Sequence, residues 1–370
     1  MQTQEQEHSH KECELAALVR VASAMREKAS RHIIASSRSL REALEAINSL
    51  SGDTMTLFAT DEEGRISGTV TDGDIRRAIL RGASLGSPVA EVMFRDFMRV
   101  EGEASRMQAM TTARSKGIDL LPVITEGFLT DILDLRRLRS SLPLDAVLMA
   151  GGKGERLRPL TLTVPKPLLE VGGRPIIDYN IEELRRCGIR NIYVTVNYLR
   201  EQIIEHFSSD GDVTCVEEPC RLGTMGSLTL VEGLRHDNLI LMNSDLLTTL
   251  DFERMFIHHE ESGAEVTVAA IPYNVSIPYA IMTMEGDRVT GLTEKPTFNY
   301  FANAGVYIMR RSLISEMKRG EYLDAPDFLQ TLMDAGRKVA CFPIEGIWVD
   351  IGSPDDFRYA NRLMNQRRRL

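Results

Sequence analysis

Short apolar runs alternate with segments of helical spacing along the second half of the chain. Between the runs, apolar residues recur every three or four positions in residues 176–187 and 201–207, which predicts two helices. This alternation is typical of a mainly parallel sheet with helices on both faces, so we predict an α/β domain over residues 142–370. The runs predicted to form its strands are 146–149, 192–196, 213–216, 239–242 and 266–271.

A different order of predicted elements occurs twice before residue 142. In the first copy a helix with Ser39 as N-cap and Glu42 three positions later precedes two strands, and Thr71 opens a second helix. In the second copy a helix and two strands follow in the same order, and Asp134 is predicted to open a final helix. The repeat predicts two packed copies of one α+β module. The predicted domains are an N-terminal helix at 1–30 and modules at 31–86 and 87–141.

Composition and charge exclude several classes of protein. The net charge of −9 argues against a nucleic-acid partner. The five cysteines are an odd number without a Cys-x-x-Cys pair, so neither a disulfide framework nor a zinc site is predicted. No apolar run reaches about 18 residues and no apolar signal core is seen, so we expect no membrane association and a cytoplasmic location. The histidines show no ligand spacing, and His258 and His259 are predicted to lie at the surface.

A glycine-rich loop follows the first predicted strand of the α/β domain. Gly151, Gly152 and Gly154 fall within four positions, and glycine lets backbone N–H groups approach a ligand closely. Successive N–H groups in such a turn form a concave anion site, and Arg156 and Lys166 add cations nearby. The loop therefore predicts a site for a nucleoside triphosphate; the alternative is a turn that binds no ligand. It matches neither a Walker loop nor the dinucleotide fingerprint.

The spacing of these glycines from Arg156, Thr161 and Pro165-Lys166-Pro167 resembles the signature of the sugar-1-phosphate nucleotidyltransferase family. Its members join a nucleotide to a sugar phosphate and release pyrophosphate. The resemblance extends over residues 144–361 and implies a mainly parallel, Rossmann-like sheet in which Arg156 and Lys166 are catalytic and contact the reacting phosphates. It also implies a nucleotide-binding set of Leu148, Ala150, Gly151, Gly152, Gly154, Glu218, Gly223 and Thr224.

Two aspartates are candidate metal ligands. Asp245 comes just after an apolar strand, at the edge of the sheet where ligands bind, and such a carboxylate suits Mg²⁺ held against phosphate oxygens. Asp350 is the second candidate, and the resemblance implies that the two share the metal. The alternative for each is a residue of a turn or cap.

The resemblance also assigns residues to the sugar. The chain departs from the family at Tyr279-Ala280, where Tyr-Gly is usual, and the added methyl group leaves the identity of the sugar open. The residues implied to bind the sugar phosphate are Glu294, Lys295, Asn303 and Gly305.

Glu218 is the candidate for reading the nucleobase, because the segment around it matches the family stretch that lies along the base. A carboxylate only accepts hydrogen bonds. Guanine offers two adjacent donors, whereas uracil and thymine offer one donor beside carbonyl acceptors. This favours GTP, with UTP or dTTP as the alternative. The alternative for the side chain is a pair with Arg221 or exposure to water.

Strand, turn, strand and Thr71-Asp72-Gly73-Asp74 resemble a cystathionine-β-synthase-type (CBS) domain, and the first copy matches better than the second. In that family the threonine and the last aspartate often bind the ribose of an adenine nucleotide, which implies Thr71 and Asp74 as a regulatory site. The alternative is that both only cap a helix. Asp131 aligns with Thr71 in the second copy, and its carboxylate disfavours a phosphate-bearing ligand. CBS pairs commonly dimerise, so we expect at least a homodimer.

These features favour a GTP-dependent sugar-1-phosphate guanylyltransferase preceded by a CBS pair. The domain order resembles the bacterial glucosamine-1-phosphate guanylyltransferases of legionaminic acid biosynthesis, with mannose- or heptose-phosphate guanylyltransferases as close alternatives. A uridylyl- or thymidylyltransferase acting on a hexose 1-phosphate is one rival, and an inactive regulatory nucleotide-binding protein is another. The second rival is disfavoured because the chain retains Arg156, Lys166, Asp245, Lys295 and Asp350.

Overall fold

The computed structural model describes residues 30–50, 54–101 and 106–367, and the chain divides into two compact units. Unit 1 comprises the described residues up to Pro143 together with Arg186–Gly188, and unit 2 comprises the rest from Leu144. Residues 1–29, and with them nearly all of the predicted N-terminal helix, lie outside the described residues. Within the described ranges, no helix has both the length and the apolar composition needed to cross a bilayer.

The first repeat of unit 1 has the predicted order of elements. Its helix α1 begins with a capping box, in which the Ser39 hydroxyl accepts the Glu42 N–H and the Glu42 carboxylate accepts the Ser39 N–H. The short first strand was not predicted, and it pairs in parallel with the second. The elements are β1 (Ile33–Ala35), α1 (Leu40–Ser49), β2 (Thr56–Thr60), β3 (Ile66–Thr71) and α2 (Asp72–Leu80).

The second repeat departs from the prediction at its end. It contains α3 (Arg106–Ser115), β4 (Leu120–Thr125) and β5 (Phe128–Asp134), but the predicted helix from Asp134 is wrong. The Asp134 carbonyl accepts the N–H groups of Arg137 and Leu138, which completes a single turn. The N–H groups of Arg139, Ser140 and Leu142 then donate to the carbonyls of residues 186 and 187, so they do not continue the turn into a helix.

The register of the two hairpins also corrects the alignment of the repeats. Thr71 is the last residue of β3 and lies opposite Thr56, the first residue of β2. In β4–β5 the same place is taken by Asp134, opposite Leu120. Asp131 lies inside β5 instead, so Asp134, not Asp131, is the counterpart of Thr71.

Unit 2 is built on a seven-stranded sheet with the order β15-β11-β14-β9-β6-β7-β8. All neighbours are parallel except β14, which is antiparallel to both β9 and β11. The mainly parallel α/β sheet is therefore confirmed, and all five predicted strands and both predicted helices are present. Its strands are β6 (Leu144–Met149), β7 (Ile192–Val196), β8 (Val213–Glu217), β9 (Asn238–Asn243), β10 (Leu246–Thr248), β11 (Val266–Ser276), β12 (Ile281–Glu285), β13 (Arg288–Thr293), β14 (Thr297–Arg310), β15 (Val339–Pro343) and β16 (Trp348–Asp350). The helices are α4 (Ile176–Arg186), α5 (Arg200–His206), α6 (Gly223–Gly226), α7 (Phe252–Ser262), α8 (Ala325–Asp334) and α9 (Pro354–Arg367).

His259 belongs to the core, so its predicted surface location is wrong. It lies in the last turn of α7 and is 1% exposed. Its imidazole hydrogen-bonds the hydroxyl of Thr267 and the side chain of Asn238. Burial, together with the charges of Arg310 and His258, lowers the pKa of His259 to about 4. The ring is therefore a neutral, hydrogen-bonded part of the packing between α7 and the sheet.

Strands β11 and β14 extend beyond the sheet. Residues 271–276 of β11 pair with residues 297–302 of β14. This part of the two strands lies beyond the ends of their other neighbours, β15 and β9. Strands β12 and β13 continue this ribbon as an antiparallel hairpin. Residues 271–302 are called the arm below.

Candidate active site

The glycine loop leaves the carboxyl edge of the parallel strands. Strand β6 ends at Met149, whose carbonyl accepts the Ser244 hydroxyl at 2.6 Å. The next residue, Ala150, donates its N–H to the Thr195 carbonyl of β7 at 2.9 Å. Parallel strands bring the ends of β6, β7, β8 and β9 to one edge, which is where α/β sheets bind ligands.

Gly151 and Gly152 face different surroundings. A Cβ on Gly151 would lie 2.7 Å from Glu218 Oε1 and 3.3 Å from Asn197 Cβ, so this glycine is packed against the end of β8. A Cβ on Gly152 would meet no atom within 4 Å. The loop is therefore closed behind Gly151 and open at Gly152, which leaves room for a ligand on the open side.

Gly154 ends the loop in a left-handed conformation with φ of +59°, which favours glycine. The Thr161 hydroxyl donates to its carbonyl at 2.8 Å. A Cβ on Gly154 would lie 3.2 Å from Lys166 Cβ. The motif spacing thus has a local structural reason, because Thr161 and Lys166 hold the far end of the loop.

Lys166 lies between the two predicted metal ligands. Asp245 precedes β10, and Asp350 ends β16, which pairs with β10 in an antiparallel register that sets Leu246 opposite Asp350. The Lys166 ammonium hydrogen-bonds the Asp245 carboxylate and lies 3.6 Å from Asp350 Oδ1. The second Asp245 oxygen, Oδ1, is buried and has no hydrogen-bond partner within the described ranges. Two carboxylates thus share one ammonium group, and a buried acceptor is left open.

The charge at this position fits a divalent cation. Burial raises the pKa of Asp350, and the neighbouring Asp245 carboxylate raises it further, against the opposing effect of Lys166 and Arg156. The Arg156 guanidinium lies against Gly352, where a Cβ would be 3.1 Å from Nη2. A cation between the carboxylates would neutralise them and occupy the open Asp245 oxygen, and oxygen ligands of this kind suit Mg²⁺.

Glu218 is buried beneath the glycine loop. Its Oε2 accepts the Leu222 N–H at 3.3 Å, and burial raises the pKa of its carboxyl. The side chain is therefore not exposed to water, and the charge of Arg221 acts on its pKa in the lowering direction, against the effect of burial.

Gly223 and Thr224 begin α6 directly after the Leu222 turn. The Thr224 N–H donates to Asp324 Oδ1 at 3.2 Å, and the Thr224 hydroxyl accepts the Ala325 N–H at 2.6 Å. Thr224 thus holds its turn by contacts within the protein. Sequence reasoning missed Asp324, because nothing near it in the chain signals a partner 100 residues away.

The predicted sugar residues fall into two groups. Gly305, with φ of +70°, approaches Asn243, two residues before Asp245, so closely that a Cβ would lie 2.4 Å from Asn243 Nδ2. Its N–H donates to Asn303 Oδ1 at 2.9 Å. Glu294 and Lys295 lie in the arm, where they form a loose pair at 3.9 Å, and within the described ranges Lys295 forms no ion pair with the metal-site carboxylates.

The predicted regulatory residues of unit 1 form a capping box at the start of α2. The Thr71 hydroxyl accepts the Asp74 N–H at 3.3 Å, and the Asp74 carboxylate accepts the Thr71 N–H at 2.9 Å. Arg77 also donates to Asp74, at 2.6 Å. The hydrogen bonds of the cap therefore engage both side chains. A bound ribose would have to form its hydrogen bonds with polar atoms that already take part in the cap.

Comparison with known proteins places these observations in a family. The nucleotidyl transferase family model matches residues 145–367, and the CBS domain model matches residues 21–81. The mannose-1-phosphate guanyltransferase of Debaryomyces hansenii is 33% identical to this chain over 57% of the chain and 62% of its own length. The catalytic subunit beta of the Danio rerio mannose-1-phosphate guanylyltransferase is 31% identical, with coverage of 57% and 62%. The chain thus spans less than two thirds of these relatives.

Among solved structures, HddC from Yersinia pseudotuberculosis complexed with GMP-PN is 22% identical, covers 60% of this chain and 99% of its own, and has a TM-score of 0.47. The family match covers more than half of the chain and contains the glycine loop, Lys166 and both aspartates that are predicted as metal ligands. This chain belongs to the nucleotidyl transferase family and carries a CBS domain before its transferase unit.

Proposed function

We propose that this protein transfers GMP from GTP to a sugar 1-phosphate and releases pyrophosphate. The observation that carries the proposal is the grouping of Lys166, Asp245, Asp350 and Arg156 at the edge of the sheet, with Lys166 packed against Gly154 of the glycine loop. This grouping supplies cations and candidate metal ligands next to a loop whose Gly152 is open to a ligand.

The reaction needs this charge. An oxygen of the sugar phosphate forms a bond to the α-phosphorus of GTP, and the bond from that phosphorus to the leaving pyrophosphate breaks. Each pair of like charges about 4 Å apart costs roughly 4 kcal/mol at an effective dielectric constant near 20. Arg156 and Lys166 offset this repulsion, and positioning with electrostatics suffices for phosphoryl chemistry. Asp245 and Asp350 would hold Mg²⁺, which when bound neutralises charge on the phosphate oxygens.

Glu218 supports guanine as the base. Its carboxyl is buried against the glycine loop, and its ionised form accepts hydrogen bonds from two adjacent donors such as N1–H and the 2-amino group of guanine. The names of the relatives, which are guanylyltransferases, agree with this choice.

The sugar is proposed only as a hexose 1-phosphate. The relatives are named for mannose 1-phosphate, whereas the domain order resembles enzymes that use glucosamine 1-phosphate. Asn303 and Gly305 lie beside Asn243, near the metal-site edge, and we propose them as sugar contacts. Glu294 and Lys295 are proposed to reach the sugar phosphate from the arm.

The decisive experiment is a matrix of GTP, ATP, UTP and dTTP against mannose, glucosamine, glucose and heptose 1-phosphates, with Mg²⁺ and with pyrophosphate release as the readout. We expect the largest kcat/KM with GTP and one hexose 1-phosphate. A larger value with UTP or dTTP would contradict the assignment of the base. Absence of pyrophosphate with every pair would leave the inactive regulatory protein as the better interpretation.

For unit 1 we propose regulation or assembly, without chemistry, and an adenine nucleotide at Thr71 and Asp74. A ligand that binds only the folded state raises the melting temperature by mass action. AMP should therefore raise the melting temperature of the full chain but not that of an Asp74→Ala variant. Equal shifts in both proteins would remove Asp74 from the site, and no shift in either would leave capping as its role.

A further inference from the structure

The arm has two ribbons, and each has a face on which four apolar side chains are exposed. In the inner ribbon, Tyr273 lies directly opposite Tyr300 and Val275 opposite Phe298, so these four side chains share one face. The rings of Phe298 and Tyr300 stack with centroids 6.5 Å apart. The alternate positions put Asn274 opposite Asn299 and Ser276 opposite Thr297, so the other face is polar over these pairs, and nearer the sheet it carries Pro272 opposite Phe301, which is 66% exposed.

The outer hairpin repeats this arrangement. Met282 lies opposite Leu292, and Met284 lies opposite Val289. A register shift at Met284 accommodates the extra residue Thr290, so the four apolar side chains stay on one face despite the uneven spacing of β13.

These faces lack a cover within the described ranges of the chain. The eight side chains are each between 37% and 61% exposed. A two-stranded ribbon is at best marginally stable in water by itself, and its apolar face needs a partner surface. Tyr, Phe and Met are also the residue types that are enriched at protein interfaces.

The charges of the arm argue against an anionic membrane as the partner of these faces. Its charged residues are three acidic and two basic, so the arm has no basic patch that would attract an anionic membrane. The charged residues lie around the turn of the outer hairpin and between the two ribbons, at Glu285, Asp287, Arg288, Glu294 and Lys295. Two copies of such a face can therefore meet without repulsion between like charges, as a two-fold contact requires.

The size of the face is also appropriate. With about 200 Å² for a whole large apolar residue, the exposed fractions amount to roughly 400 Å² for each ribbon and roughly 800 Å² for the two together. A specific interface of standard size buries about 800 Å² on each partner. We propose that the apolar faces of the two ribbons, formed by Tyr273, Val275, Phe298 and Tyr300 and by Met282, Met284, Val289 and Leu292, together bind the same faces of a second copy of this chain.

The proposal concerns assembly and holds whatever nucleotide the enzyme uses. The arm also contains Glu294 and Lys295 between its two ribbons, and Lys295 has a left-handed φ of +42°. If the proposed function is correct, a contact across the arm would order the residues that reach the sugar phosphate. Loss of assembly would then raise the KM for the sugar phosphate more than the KM for GTP.

The test uses the full chain and neighbouring residues on opposite faces of β14. Tyr300→Lys puts a charge on the apolar face, and Asn299→Lys puts the same charge on the polar face of the same ribbon. Sedimentation velocity over a dilution series should show a wild-type oligomer with an even number of chains. We expect Tyr300→Lys to halve the mass of this oligomer, or to raise its dissociation constant at least about tenfold. We expect Asn299→Lys to keep the wild-type mass and a dissociation constant within about twofold of the wild-type value.

Two results would overturn the proposal. One is a monomeric wild-type protein throughout the dilution series, and the other is an unchanged mass in Tyr300→Lys. Circular dichroism of both variants checks that they are folded. If Tyr300→Lys does not fold, Met284→Lys with Thr283→Lys as its control repeats the comparison on the outer hairpin, and an unchanged mass in Met284→Lys overturns the proposal equally.

Discussion

Thr224 and Asp324 cap each other's helices across 100 residues of sequence. The Asp324 carboxylate accepts the Thr224 N–H at the start of α6, and the Thr224 hydroxyl accepts the Ala325 N–H at the start of α8. Tyr322 donates its hydroxyl to the other Asp324 oxygen at 2.6 Å. This exchange fixes the turn that follows Glu218, so it holds the proposed base-reading segment against the core.

The reciprocal cap predicts coupled effects on stability. Thr224→Val and Asp324→Ala should each lower the free energy of unfolding by about 1–2 kcal/mol, the usual effect of losing a cap. Because each side chain serves the other's helix, the double variant should lose less than the sum, with a coupling energy of about 1 kcal/mol. Urea unfolding of the wild type, the two single variants and the double variant gives the four free energies of unfolding that are needed. Asp327→Ala, an exposed position in the first turn of α8, is the control and should change little; strict additivity would show that the two caps are independent.

The two neighbouring glycines of the loop should respond differently to a methyl group. Gly151→Ala places Cβ 2.7 Å from the buried Glu218 carboxylate, and the overlap should lower the free energy of unfolding by about 1–3 kcal/mol. Gly152→Ala points into open space and should leave stability unchanged. If the nucleotide occupies that space, Gly152→Ala should instead raise the KM for GTP. Thermal unfolding and steady-state kinetics separate the effects, and equal stability losses in both variants would contradict this description of the loop.

Glu218→Gln should reduce selectivity for GTP over UTP. The amide fills the same space beside Gly151 but adds donors where guanine also has donors. The loss of a charged hydrogen bond, roughly 1.5–3 kcal/mol, corresponds to about a ten- to hundredfold change in the ratio of kcat/KM values. Glu217→Gln is the matched control, since this exposed neighbour pairs with Arg200 at 3.1 Å. An unchanged ratio in Glu218→Gln would mean that another group reads the base.

Asp245→Asn and Asp350→Asn should each abolish detectable turnover in a folded protein. Each change removes one of the two carboxylates that face Lys166, and with it the charge that would hold the metal. Mn²⁺ binding followed by electron paramagnetic resonance should weaken in both variants, which gives a readout apart from activity. Asp355→Asn, at an exposed carboxylate in the first turn of α9, should keep both properties. Near wild-type turnover in either active-site variant would exclude that residue as a ligand.

The buried His259 should make stability depend on pH. Its pKa is about 4 in the folded protein, against about 6.5 for an exposed histidine. As the pH falls below 6.5 the unfolded chain gains a proton that the folded protein does not, so stability is lost progressively until about pH 4. The full loss is about 3 kcal/mol. In urea titrations, the stability difference between the wild type and His259→Gln should shrink by this amount from pH 7.5 to pH 4, and a constant difference would refute the lowered pKa.

Local features of the fold were predictable from the sequence because they are encoded within a few residues. The capping box of Ser39 and Glu42 needs only residues three positions apart, and the apolar runs of β7 and β9 need only their own composition. The wrongly predicted helix after Asp134 shows the limit, because local similarity to the segment that begins at Asp74 does not reveal that the backbone after Leu138 pairs with residues 186 and 187. The pairing register of the β4–β5 hairpin shows that Asp134 corresponds to Thr71, whereas the sequence motif had aligned Asp131 with Thr71.

By itself, the sequence determined the class of the sheet, the glycine loop and the residue types that suit a nucleotide and a metal. Only the tertiary structure decided that Lys166 lies between Asp245 and Asp350. It also decided that Thr224 forms a hydrogen bond with Asp324 and that His259 is buried. The register of β10 against β16 brings together residues about a hundred positions apart, and no local pattern specifies that pairing. The physical reason is that helix caps, turns and periodicity are specified by neighbouring residues, whereas burial and long-range hydrogen bonds depend on how whole strands and helices pack.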